Sequence, residues 1–193
     1  MSSLRNIRRS EDVFLDAARA CILGVGWKRT TLTDVARRAG VSRMTIYRRW
    51  PDMQTLLADL MTREWAAVVV DAAVVDDSPV DRLARGVVRT VRALRGNALF
   101  AKIVEIDPEL LLPYLFDRRG RSQDSILEML ADLVRDGQRD GKIRDGDPVL
   151  IARSVLLTAQ GFVLSLGTMA DDVIDVAAFD AELYSLLARY LTP

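Results

Sequence analysis

Apolar residues recur three and four positions apart along almost the whole chain, and runs that alternate every second residue are nearly absent, a pattern that predicts an all-α protein. In the first predicted helix Val13, Phe14, Ala17, Ala18, Cys21, Ile22 and Val25 form one face, with Ser10 as N-cap and Gly26 as stop. Thr31 and Asp34 have capping-box spacing and open a second helix whose buried side is Leu32, Val35, Ala36 and Ala39. Gly40 supplies the left-handed residue of a sharp turn, and Ser42 caps a third helix from Arg43 to about Arg49. Pro51 cannot continue it, and Asp52 caps a fourth helix running to about Val75. A third helix this short holds only if its neighbours pin it by packing.

Beyond residue 75 the pattern predicts amphipathic helices over 79–95 and 98–106, a looser segment from Asp107 to Gly120, then helices over 122–139, 148–166 and 178–191. That makes about nine helices, with no internal repeat. Ser154 to Ala170 contains no charged residue. Interrupted by Thr158 and Gln160, this run is too short and too polar for a membrane span, so no membrane partner is expected. A helix apolar nearly all round is buried on most faces, and a second copy of the chain explains that breadth better than an intrachain core.

Composition narrows the chemistry. The chain has one cysteine and no histidine, which excludes a disulfide framework, the zinc and iron sites built from Cys and His, and every triad with an imidazole base. Cys21 lies on the apolar stripe of the first helix and reads as a packed thiol. The acidic groups around Glu105, Asp107, Asp171, Asp172 and Asp175 read as caps and solvated charges. We therefore expect no enzyme activity, no cofactor and no metal. Glu11, Asp12 and Asp16 interrupt any signal-peptide core, so the expected location is cytoplasmic.

The formal net charge of zero hides two opposite parts. Residues 1–50 carry eleven Lys or Arg against four Asp or Glu, and the remainder carries the compensating acidic excess, as expected if the first part meets a polyanion. Five of these arginines fall between Ala36 and Trp50. Two helices joined through Ala39, Gly40, Val41 and Ser42 have helix-turn-helix spacing, with Val35, Val41 and Ile46 as their shared core. If Ile46 points inward, Arg43, Met44, Tyr47 and Arg48 point outward, where arginine can read guanine, methionine can touch a thymine methyl and tyrosine can reach phosphate. Arg37 and Arg38 on the outer side of the second helix, Lys28 with Arg29 before it, and an arm formed by Arg5, Arg8 and Arg9 are further candidates for phosphate contact.

On these residues the segment Thr30 to Leu57, TTLTDVARRAGVSRMTIYRRWPDMQTLL, resembles the DNA-binding part of the TetR family of transcriptional regulators. The resemblance implies an N-terminal three-helix helix-turn-helix DNA-binding domain over 1–52 and a larger helical ligand-binding and dimerisation domain over 53–193. It implies Arg43 and Met44 at the bases and Thr45, Tyr47 and Arg48 mainly on the backbone, and we group Thr31 and Arg38 with them. Met44 stands where the family usually has a small residue, Trp50 where Phe is commoner, and Met53 where a lysine typically begins the fourth helix; the N–H groups of Met53 and Gln54 remain available to a phosphate, against the charge of Asp52.

The implied assembly is a homodimer with a four-helix interface made by the last two helices of each copy, to which we assign Leu156, Phe162, Leu166, Leu183, Leu187 and Tyr190. The expected partners are a palindromic double-stranded DNA operator and a hydrophobic small-molecule effector whose binding releases DNA. Large side chains at Trp65, Phe100, Ile103, Tyr114, Phe116, Met129 and Phe162, with Thr158 for polar recognition, are the expected pocket. The alternative is a helical small-molecule-binding or interaction module whose helix-turn-helix is vestigial, which Asp52 and Met53 keep open.

Overall fold

Most helices begin where a side chain can take over the first unpaired backbone N–H groups, and these caps partition the chain. The computed structural model describes residues 2–72 and 78–193, with side chains from residue 11 onward. Among the described residues there are nine α-helices and no strand: α1 (Ser2–Val25), α2 (Leu32–Arg38), α3 (Arg43–Arg49), α4 (Met53–Ala72), α5 (Pro79–Arg95), α6 (Ala98–Ile106), α7 (Arg121–Arg139), α8 (Pro148–Ser165) and α9 (Val176–Leu191). Ser78 precedes Pro79 at α5, the Asn97 carboxamide oxygen accepts from Leu99 and Phe100 at 3.0 Å, and Asp147 and Asp175 cap α8 and α9 at 2.8 Å. The looser segment between α6 and α7 holds a 3-10 turn at Pro108–Leu110 and a π-helical turn at Pro113–Asp117. Ser10, expected as the first N-cap, lies inside α1 instead.

The chain divides into two compact units, residues 1–64 with 97–119 and residues 65–96 with 120–193. In the first, Phe14, Leu15, Ala18 and Ile22 of α1 close over Leu32, Val35 and Ala36 of α2, Ile46 of α3, Leu56 and Leu60 of α4, and Leu99 and Ile103 of α6. Two residues expected on the buried face of α1, Val13 and Val25, are exposed, because the closed arc centres on Phe14, Ala18 and Ile22 and leaves them at its edges. The C-terminal end of α6 is tied to the α1–α2 turn through Asp107, whose Oδ2 accepts from the Trp27 N–H at 2.9 Å. Asp107 is buried, and its Oδ1 has no hydrogen-bond partner. Beside it the Lys28 ammonium lies 2.6 Å from the Glu109 carboxylate.

In the second unit α5, α7, α8 and α9 share a core built from Leu83, Val87 and Val91, Leu130 and Val134, Ile151 and Val155, and Leu183, Leu187 and Leu191. The buried Asp180 of α9 joins it to α5 by accepting from Arg92 Nε at 2.6 Å and Arg95 Nη2 at 2.7 Å. The α7–α8 connection, Gly141 to Arg144, fastens the end of α9. Ile143 is buried against Gly137, the Arg144 N–H donates to the Leu191 carbonyl at 2.8 Å, and its guanidinium lies 4.4 Å from the centre of the Tyr190 ring. Gly137 is required by close approach, since a Cβ there would sit 2.5 Å from Ile143 Cδ1.

Candidate nucleic-acid interface

The positioning of α3 starts with the backbone of Gly40, whose φ of +71° lies in the left-handed region where a side chain is strained. The turn it makes lets the Val41 N–H donate back to the Ala36 carbonyl at 3.0 Å and brings Ser42 to the N-cap of α3. Ser42 Oγ accepts from the Thr45 N–H at 3.2 Å. Seven residues cannot hold a helix in water, so packing must do it. Ile46 has no exposed surface, and Trp50, just past the helix, is 1% exposed. The Trp50 ring meets Phe14 of α1 edge-on at 5.6 Å, and its indole N–H donates to Asp59 of α4 at 2.8 Å. Burying two side chains of this size contributes roughly 1.5–3 kcal/mol each, enough to fix so short a segment between α1 and α4.

With Ile46 inward, the opposite face of α3 carries Arg43, Met44, Tyr47 and Arg48, all exposed. Charge pairing sorts the five arginines of this stretch. Arg37 lies 2.7 Å from Asp34, and Arg49 lies 2.7 Å from Glu11 while stacking over Trp50. Arg38, Arg43 and Arg48 have no ion pair among the described residues. Three exposed cations thus remain on the helix-turn-helix, two of them on the face of α3 that also offers the Tyr47 hydroxyl, and this arrangement attracts a polyanion.

Other expected contacts are partly engaged elsewhere. Thr31 is exposed, but its hydroxyl donates to Asp34 Oδ2 at 2.5 Å and accepts from the Asp34 N–H, completing the expected capping box. The Thr31 hydroxyl, and after it the Thr31 N–H, donate to the Asp34 carboxylate and hold it below its ordinary pKa. Thr45 is half-buried, with its hydroxyl 2.9 Å from that of Ser42. At the start of α4, beside the Met53 and Gln54 N–H groups expected to be available to a phosphate, Asp52 acts as a cap. Its Oδ1 accepts from the Thr55 N–H at 2.7 Å, and that bond, followed by others from Thr55 and the Gln54 backbone, holds its carboxyl below the usual value. The side chains of Arg5, Arg8 and Arg9 lie outside the described residues.

The second half corrects several residue assignments. Leu183, Leu187 and Leu166 are 0%, 2% and 4% exposed, closed off inside the chain and unavailable to a second copy. Leu156, Phe162 and Tyr190 are half-buried against the same core. What α8 leaves exposed is Leu150, Leu157 and Leu164, one stripe at seven-residue spacing, with Leu186 exposed on α9. By length and composition alone the segment Pro148–Thr168 also suits a membrane span, but its inner side, Ile151, Ala152 and Val155, is committed to the core.

The eight expected pocket residues fall on both units. Ile103 and Phe100 are buried, Ile103 in the core against α1, while Tyr114, Phe116 and Met129 are exposed and Trp65 is half-buried. The half-buried Thr158 gives its hydroxyl proton to the Ser154 carbonyl of its own helix, and Phe162 packs on the α8 core. A cavity of about 220 Å³ in the second unit is lined by Arg82, Leu133, Asp136, Asp140 and Lys142 with Pro79 and Gly137, none of them among the eight. Among the described residues no group of three Cys, Asp or Glu side chains is arranged to hold a metal ion.

The model of the TetR family of bacterial regulatory proteins matches residues 14–60, the stretch that contains α2, α3 and their packing partners. An uncharacterised HTH-type transcriptional regulator of Mycobacterium bovis is 38% identical over 177 residues, which is 92% of each chain. Among solved structures, FadR of Bacillus subtilis in complex with stearoyl-CoA aligns with a TM-score of 0.66 over 93% of this chain and 98% of that one, at 18% identity. SmeT in complex with triclosan aligns at 0.64 over 96% and 92%, at 22% identity. SmeT is the repressor of the Stenotrophomonas maltophilia multidrug efflux pump SmeDEF. At these identities the structural likenesses speak for the fold.

Proposed function

The chain belongs to the TetR family of bacterial regulatory proteins, and we propose that it acts as a homodimeric repressor that leaves a palindromic operator when a hydrophobic effector binds. The observation that carries the reading is the division of α3: Ile46 is wholly buried, while Arg43, Met44, Tyr47 and Arg48 face solvent. A segment fixed so firmly yet presenting cations outward suits insertion into the major groove. In this reading residues 1–52 contact DNA, residues 53–193 carry dimerisation and effector binding, and the protein works in the cytoplasm, where the genomic DNA is.

Two copies follow from the surface that α8 and α9 leave uncovered. Leu150, Leu157, Leu164 and Leu186 form an apolar patch next to a well-packed core, as a two-fold helix-bundle interface requires. A two-fold axis then relates two α3 helices and matches them to half-sites about one turn of DNA apart. The effector class rests on the apolar and aromatic side chains at Trp65, Tyr114, Phe116, Met129 and Phe162, and on the stearoyl-CoA and triclosan bound by FadR and SmeT. Effector coupling of about 1–3 kcal/mol lowers operator affinity five- to 150-fold.

Selection of bound fragments from random duplexes tests the reading directly. A recovered palindrome whose affinity drops at least ~10-fold on Arg43→Ala or Tyr47→Ala supports it. Operator affinity unchanged by both substitutions favours a binding module with a vestigial helix-turn-helix. No duplex binding at low salt rejects the reading.

A further inference from the structure

We propose that Met44 reads the C5-methyl group of a thymine in each operator half-site, an inference that rests on α3 being the helix in the major groove. Met44 is 79% exposed, and among the exposed large apolar residues only Val173 is more so. It sits at the second position of a helix whose inward residue is sealed, so it contributes nothing to holding α3. Left in water, its unbranched thioether gains nothing from folding, and its apolar area is still free to be buried on a ligand.

Its surroundings identify what it meets. Arg43 precedes it and Arg48 follows one turn later, both exposed and without an ion pair among the described residues, while Tyr47 lies three positions on along the same face. Met44 is thus an apolar spot inside a cationic surface. A duplex drawn to that surface presents hydrogen-bonding edges across the major-groove floor, and the thymine C5-methyl is its apolar group. Pressing a thioether on an amino or carbonyl edge strips water from that edge without replacing its hydrogen bond, whereas pressing it on a methyl buries apolar area on both sides. The three side-chain torsions of methionine let its tip follow the methyl without moving the backbone.

The test uses the full chain and its selected operator. Each thymine is replaced in turn by deoxyuridine, which removes the methyl and nothing else, and affinity is read by fluorescence anisotropy. The wild-type protein loses affinity at one symmetry-related pair of thymines, about four-fold for one half-site and about fifteen-fold for both. Met44→Ala and Met44→Gln bind the two duplexes within about two-fold of each other, and Met44→Leu keeps the discrimination. Retained operator binding with no sensitive thymine overturns the inference while leaving the DNA-binding reading standing. The same deoxyuridine penalty in wild type and Met44→Ala also overturns it. Failure of the wild-type chain to bind any duplex overturns both.

Discussion

Arg48 and Arg49 are adjacent in sequence and identical in chemistry, yet one is available to DNA and the other is not. Arg49 is drawn back to Glu11 on α1, 38 residues away, and over Trp50. The outward face of α3 was legible because it follows from helical period and from punctuation within a few residues, namely Gly40, Ser42 and Pro51. The arginine pairing was not legible, because it depends on how α1 packs across α3. Asp52 is a similar case with a measurable consequence. Its carboxylate takes the Thr55 N–H and puts a negative charge at the N-terminal end of α4, where it opposes a phosphate. Asp52→Asn keeps a capping oxygen and removes a negative charge from the DNA-facing end, so operator affinity should rise about two- to five-fold at low salt and the gain should shrink as salt increases. Titration at two ionic strengths checks this, and affinity that falls or stays level contradicts it.

Among the elements, α5 and α7 were read with nearly their observed limits, because each has an apolar stripe and ends at or next to a glycine, and α5 also opens on Ser78 and Pro79. Sequence reading was weakest for α8. Its apolar residues run nearly all round, so period alone cannot tell the side facing α5 and α7 from the side left open. On α9, too, the interface residues assigned from sequence, Leu183 and Leu187, fell on the inner side. The role of the α7–α8 connection, Gly141 to Arg144, is tertiary and has no local signal: Ile143 plugs against Gly137 while Arg144 ties down α9. Gly137→Ala gains about 1 kcal/mol of helix propensity but forces Ile143 to move, at a cost of about 1–3 kcal/mol. We expect net destabilisation of up to ~2 kcal/mol by urea denaturation, with Ile143→Val restoring part of it. A Gly137→Ala protein more stable than wild type would contradict that packing argument.

For the molecule as a whole, the proposed dimer multiplies DNA affinity across two copies, so breaking the pair should lower operator binding without touching α3. Leu157 is 68% exposed at the middle of the α8 stripe, and Leu157→Glu buries no charge in a single chain. It should halve the mass in sedimentation at micromolar concentration, leave helix content unchanged, and weaken operator binding at least ~100-fold through loss of the second half-site. A variant that stays dimeric places the interface elsewhere. With Arg38, Arg43, Tyr47 and Arg48 from each copy, the wild-type dimer should give a log-affinity against log-salt slope of about −4 or steeper, and a flat response contradicts that phosphate count.

The Asp107 carboxylate reaches back 80 residues to the Trp27 N–H, and α6 supplies Leu99 and Ile103 to the core beneath α1. A polypeptide cut after Glu64 would retain every DNA-facing side chain but lack the floor on which Ala18 and Ile22 rest. Such a fragment should be poorly helical and bind operator feebly at best, and supplying residues 97–119 through a flexible tether should recover helicity. Evolution therefore cannot exchange the reading head of this protein for another by recombination at the fourth helix alone; a workable swap has to carry a compatible sixth helix with it.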